Sequence, residues 1–203
     1  MAYRASARTR TRRVPRILVA GLLVVIAAVG YPLLGSSTAA SPIGVLRGGQ
    51  RDAIGEADGV VPDGTTVFDD DVPGVANLKP ALLGALHQAA TDAADDRVEF
   101  FVNSGWRSRN YEKQLLLEAV VKYGSEEAAA PWVATPTTSA HVSGDAVDLG
   151  PDATAWLSEH GAKYGLCQIY RNEPWHYELR PEAIDHVCAP TYTDPRHDPR
   201  MQR

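Results

Sequence analysis

Residues 139–150 read SAHVSGDAVDLG. The second half, 145–150, has the pattern of a short strand, and the first half is small, polar and broken at Gly144. Downstream, DATAWLSEHG (152–161) is a helix capped by Asp152 and stopped at Gly161, and LCQIY (166–170) and HYELR (176–180) are two more strands. Upstream, VEFFVNSGW (98–106) is an apolar, aromatic strand ending at a glycine. It is followed by a helix that Ser108 caps and Gly124 ends, with Leu115, Leu116, Ala119, Val120 and Tyr123 on its buried face. SEEAAAPWVA (125–134) is a short helix broken by Pro131. NLKPALLGALHQAATDAADD (77–96) is a longer one, with Pro80 in its first turn and Leu82, Leu83, Leu86 and Ala90 on one face. Helices come first, strands cluster late, and no βαβ alternation appears. The fold class is therefore α+β, a small antiparallel sheet with helices packed on it.

The chain has 203 residues, 44% hydrophobic and 22% charged, enough for one domain with appendages. Its net charge is −5, yet Arg4, Arg8, Arg10, Arg12, Arg13 and Arg16 stand in the first sixteen residues with no acid among them. The remainder of the chain is thus more acidic than the total, which argues against a nucleic-acid partner.

After that basic segment (1–16), residues 17–34 carry no charge. A helix of that length spans roughly 27 Å, close to a bilayer core. Residues 17–36 are read as a transmembrane anchor or a signal peptide, with a small-residue cleavage site in STAAS (37–41). Either way the arginines stay inside and the body goes outside, to the extracytoplasmic face. Residues 37–75, rich in Gly, Ser, Asp and Pro, are read as a linker and irregular lead-in. The Asp69–Asp70–Asp71 run there lacks the glycine and glutamate of a calcium loop. The main domain is 76–190 and the tail 191–203.

His141 and Asp148 lie seven residues apart around Gly144, and Glu173 stands three before His176 in NEPWHYELR. Two imidazoles and a carboxylate are a set that zinc accepts, with a fourth position left for water. An odd separation on a straight strand would put His141 and Asp148 on opposite faces. A bend at Gly144 resolves this, with His141 on a loop and Asp148 on the strand. Glu173 is a carboxylate placed to act as a general base. Each of these residues alone is also an ordinary surface residue, as is Arg107.

Together, S-x-H-x-x-G-x-A-x-D (Ser139, His141, Gly144, Ala146, Asp148), the Trp156-Leu157 helix, YGL (164–166), EPWHYE (173–178) and the earlier SGWRS (104–108) form a pattern. It resembles the VanY and VanX group of zinc D,D-peptidases over roughly residues 76–185. The resemblance implies an LAS-type fold with zinc at the sheet, held by His141, Asp148 and His176. It implies Glu173 as the base that activates the attacking water and Arg107 as the group that, with zinc, holds the oxyanion. It implies Ser139, and Gln114 with it, as substrate-pocket residues. Trp175 and Tyr177 are read as packing around the zinc, with substrate contact as the alternative.

The implied activity is a metallopeptidase, a zinc D,D-carboxypeptidase trimming peptidoglycan stems that end in D-Ala-D-Ala, acting as a monomer in the bacterial cell envelope. An association with vancomycin resistance is a further implication. A dipeptidase for free D-Ala-D-Ala, a stem endopeptidase and a non-catalytic peptidoglycan-binding module are the alternatives. Cys167 and Cys188 are the only cysteines. Outside the cell they would form a disulfide, and two buried thiols are the other reading.

Overall fold

The computed structural model describes residues 53–202. The basic segment and the anchor or signal segment lie outside them. Among the described residues no helix is long and apolar enough to cross a membrane.

Among the described residues, six α-helices and four strands alternate unevenly. The helices are α1 (Pro73–Ala76), α2 (Pro80–Ala93), α3 (Arg109–Tyr123), α4 (Glu126–Ala129), α5 (Ala140–Ser143) and α6 (Pro151–His160). The strands are β1 (Val102–Ser104), β2 (Ala146–Leu149), β3 (Leu166–Gln168) and β4 (His176–Leu179). They form one sheet in the order β1-β2-β4-β3, with every pairing antiparallel. The α+β class read from the sequence is the class observed.

Register gives the sheet two chemically different faces. Directly opposed residues project to the same side, and positions two apart along a strand do too. Val147 opposes Tyr177, and both are buried in the main core with Leu149, Val102 and Leu166. That face packs on Leu82, Leu86, Ala89 and Ala93 of α2 and on Ala153 and Leu157 of α6. Asp148 opposes His176, and Ser104 opposes Asp148. Glu178, two beyond His176, joins them on the polar face. Tyr177 therefore belongs to the core side and donates its hydroxyl to the Thr154 carbonyl at 3.2 Å. It does not pack around the candidate metal site.

Several elements differ from their sequence reading. Gly150, not Asp152, occupies the cap position of α6, with Pro151 as its first residue. Of the five apolar residues expected on the buried face of α3, Ala119 is buried and Leu115, Leu116, Val120 and Tyr123 are half-buried, while Leu117 and Val121, off that face, are 57% and 85% exposed. This helix lies against α4 and the site instead of the sheet, and its other buried side chain is Glu112.

The lead-in is also more than a linker. Val67 and Val75 are core residues, Val67 N–H donates to Phe100 O at 3.1 Å, and Val102 N–H to Thr65 O at 2.8 Å. Asp69 accepts from the Thr66 N–H at 2.6 Å and the Thr66 hydroxyl at 2.9 Å, a local turn. Residues 59–75 thus pair with the β1 region and belong to the folded unit.

Cys167 and Cys188 form a disulfide, with Cα atoms 5.6 Å apart. A closed loop of this length constrains the unfolded chain by about 3 kcal/mol in the chain-entropy account.

Candidate metal centre

His141 sits on a single helical turn, α5, rather than on a loop. Gly144 ends that turn at φ 74°. A side chain there would be strained by the backbone conformation, and its Cβ would meet Asn77 O at 2.5 Å. The turn swings the chain so that the His141 ring reaches the polar face of the sheet, where Asp148 and His176 already stand opposed.

The second nitrogen of each imidazole is committed elsewhere. His141 Nδ1 lies 2.8 Å from the Gly105 carbonyl, which only accepts, so Nδ1 carries the proton. Gly105 is close-packed as well: a Cβ there would lie 2.0 Å from Gly74 O. His176 Nε2 lies 3.4 Å from Glu178 Oε1. Burial would raise the Glu178 carboxyl, but bonds from His176 and Arg200 outweigh it and bring it down to about 2. An ionised carboxylate only accepts, so His176 Nε2 carries the proton.

His141 Nε2, His176 Nδ1 and Asp148 Oδ1 are left as lone-pair donors, and they converge. The separations are 3.2 Å between the nitrogens, 3.1 Å from His176 to Asp148 and 3.4 Å from His141 to Asp148. A tetrahedral ion with ligands about 2.05 Å away sets its ligand atoms roughly 3.3 Å apart. The triangle has that size, all three residues are buried, and the N, N, O donor set suits a metal such as zinc. Where a proton must reconcile these acceptors instead, burial works against the charged ring, yet the bonds to Asp148 and Glu178 raise His176 to about 9. Asp148 is held well below the usual carboxylate range: the two imidazoles overcome its burial.

Glu173 flanks this triangle, with Oε2 3.9 Å from His176 Nδ1. Its other oxygen, Oε1, is buried and has no hydrogen-bond partner in the protein. Burial pushes its carboxyl up to about 7, and the neighbouring Asp148 adds to this against the pull of His176 and Arg107. A carboxyl poised there exchanges a proton near neutral pH.

Arg107 borders the triangle through Asp148. Its Nε donates to Ser104 Oγ at 2.8 Å, Nη1 to Glu112 Oε2 at 3.1 Å and Nη2 to Asp148 Oδ2 at 3.0 Å. A guanidinium has five N–H donors, so one on each terminal nitrogen remains.

These residues line a cavity of about 240 Å³ together with Ser139. Trp132, Val133 and Trp175 give it an apolar wall, and both indoles are more than two-fifths exposed. Trp175 thus stands at the opening. Gln114 is not among the lining residues; it is exposed on α3 and donates to Glu118 at 2.9 Å. Arg109 points to the Pro136 carbonyl at the surface.

Three participants escaped the sequence reading. Glu112 is 1% exposed and anchors Arg107. Glu178 orients His176; the period-2 rule applied from His176 would have put it on the same face. The third is the supposed tail, where Asp194 and Asp198 are buried and Pro195 and Met201 line the cavity. Its signal was two Asp-Pro-Arg runs, 194–196 and 198–200. In each, the aspartate accepts from the backbone N–H two residues on, at 3.0 and 2.9 Å.

The family model described as VanY: D-alanyl-D-alanine carboxypeptidase matches residues 76–182. A D-alanyl-D-alanine carboxypeptidase of Enterococcus faecalis is 31% identical over 111 residues, covering 42% of this chain and 41% of that protein. The chain thus matches less than half the length of that relative. Among solved structures, a point mutant of a vancomycin-resistance D,D-pentapeptidase VanY in complex with Zn(II) is 28% identical, with a TM-score of 0.47 over 50% of this chain and 72% of that one. VanYB in complex with D-alanine-D-alanine is 27% identical, with a TM-score of 0.48 over 52% and 74%.

Proposed function

The chain belongs to the VanY family of D-alanyl-D-alanine carboxypeptidases, and we propose that it is a zinc-dependent D,D-carboxypeptidase that releases the terminal D-alanine from peptidoglycan stems. The observation that carries the reading is the triangle of lone pairs from His141, Asp148 and His176, sized for one tetrahedral ion and flanked by a carboxyl raised to about 7.

His141, Asp148 and His176 would hold the zinc. When bound, zinc supplies a Lewis acid that acidifies water and polarises a carbonyl. Glu173 accepts the proton of the attacking water and passes it to the leaving amine, as its poised carboxyl allows. The two uncommitted N–H groups of Arg107 meet the negative charge that develops on the carbonyl oxygen. The bonds of Arg107 to Ser104, Glu112 and Asp148 hold it in place before substrate arrives. The Ser139 hydroxyl, on the same cavity, would receive the terminal carboxylate. The apolar wall at Trp132 and Trp175 suits the methyl and methylene groups of a stem peptide.

An extracytoplasmic setting follows from this substrate. It is supported by the Cys167–Cys188 disulfide, which persists in oxidising compartments. The N-terminal segment would deliver the domain there, as an anchor or as a cleaved signal.

The test is mass spectrometry of the zinc-loaded protein with three substrates in parallel. Loss of one D-alanine from a pentapeptide stem is expected, with weaker action on free D-Ala-D-Ala and none on an L-Ala-L-Ala end. Preference for the free dipeptide would make it a dipeptidase, and cleavage within the stem an endopeptidase. No cleavage of any substrate with zinc bound would leave a wall-binding module.

A further inference from the structure

We infer that the C-terminal segment 194–201 is part of this site, and that Arg200 is a positioning residue fixing the His176 ring through Glu178. The inference rests on the metal reading above.

His176 presents Nδ1 to the triangle only while its ring keeps one rotation, and the other end of that ring is held by Glu178. The Glu178 carboxylate is buried, and its two oxygens need partners of their own. Arg180 reaches one of them, Oε2, at 2.7 Å. Arg200 reaches both, with Nη1 at 2.6 Å from Oε2 and Nη2 at 3.2 Å from Oε1. A fork across both oxygens fixes the carboxylate plane in a way a single contact does not.

Arg200 is itself held. Asp198 is fully buried; it accepts from the Arg200 N–H at 2.9 Å and pairs with the Arg200 guanidinium. Its Oδ2 accepts from the Tyr170 hydroxyl at 3.0 Å. The Tyr170 ring in turn lies 5.2 Å from the His176 ring, centre to centre. The chain of contacts runs His176, Glu178, Arg200, Asp198, Tyr170 and back to His176, enclosing one candidate ligand from behind.

The same segment adds Pro195 and Met201 to the cavity wall. It lies beyond the residues that the family model matches, which end at 182.

The experiment measures the zinc dissociation constant by competition with a chromophoric chelator. Groups that orient a metal ligand typically contribute 10- to 100-fold in affinity. Arg200→Ala is expected to weaken zinc binding by about that factor, and Arg200→Lys, which keeps the charge and loses the fork, by less. Glu178→Gln should weaken it too, and adding Arg200→Ala to Glu178→Gln should cost little more, because Arg200 acts through Glu178. Metal-free melting curves confirm that each variant is folded. A residue that only stabilises the fold would shift those curves and leave the dissociation constant of the folded protein unchanged.

A folded Arg200→Ala with zinc affinity within twofold of the parent overturns the inference, as do fully additive effects of the two substitutions. Should Arg200→Ala not fold, Arg200→Lys carries the test: a several-fold weakening supports the inference and none overturns it. A parent chain that binds no zinc fails the metal reading itself, and this inference with it.

Discussion

Glu173→Gln removes turnover and leaves the metal in place. The loss should be about 10² to 10⁴, the usual contribution of a positioned general base. Its carboxylate lies outside the triangle, so zinc content stays at the parental level.

The same substitution has a second, opposite effect on stability in the metal-free protein. The Glu173 carboxyl is raised from 4.5 to about 7 in the fold. A raised carboxyl contributes no penalty below its unfolded pKa, where it is protonated in both states. Stability is then lost as pH rises from about 4.5 through 7, because the folded state resists ionisation. At pH 8 the difference amounts to about 3 kcal/mol, at 1.36 kcal/mol per pKa unit. Glu173→Gln should therefore match the parent at pH 4 and exceed it at pH 8 when both are denatured with chelator present. Equal stability at both pH values would mean that Glu173 is not held out of water as the structure has it. Retained turnover would assign the proton transfer to another group.

Arg107→Ala should be the more damaging change, since it removes catalysis and structure together. Loss of the two free donors should lower kcat by about 10² to 10³. The substitution also strips the partner from Glu112, which is 1% exposed, and from the outer oxygen of Asp148. Leaving buried charges unpaired costs about 3–5 kcal/mol. Arg107→Lys keeps a cation but cannot span Ser104, Glu112 and Asp148 at once. It should regain part of the stability and little of the turnover. A variant with lowered stability and parental kcat per folded molecule would confine Arg107 to a structural role.

The parts of this site that the sequence made legible are those that local spacing controls. Gly144 marked the bend that lets His141 and Asp148 meet, and short β-branched or aromatic runs marked all four strands. What stayed hidden depends on register and on long-range pairing. Glu112 sits in an apolar-looking helix, with LLLEAVV just after it, and only the packing of α3 beside the cavity shows that its acidic position is the buried one. For the same reason Gln114, two residues along, turns to solvent. Arg200 lies twenty-two residues past Glu178, and no local pattern announces that the two meet. The Asp-Pro-Arg runs carry a turn signal that the reading of 191–203 as a tail passed over, and the aspartates there do accept from the backbone two residues on.

The central claim is that His141, Asp148 and His176 form one zinc site, and zinc content tests it most directly. Elemental analysis of the purified protein should find one zinc per chain, and His141→Ala and His176→Ala, each shown to be folded, should lose it or hold it far more weakly. Stoichiometric zinc retained in both variants would contradict the account.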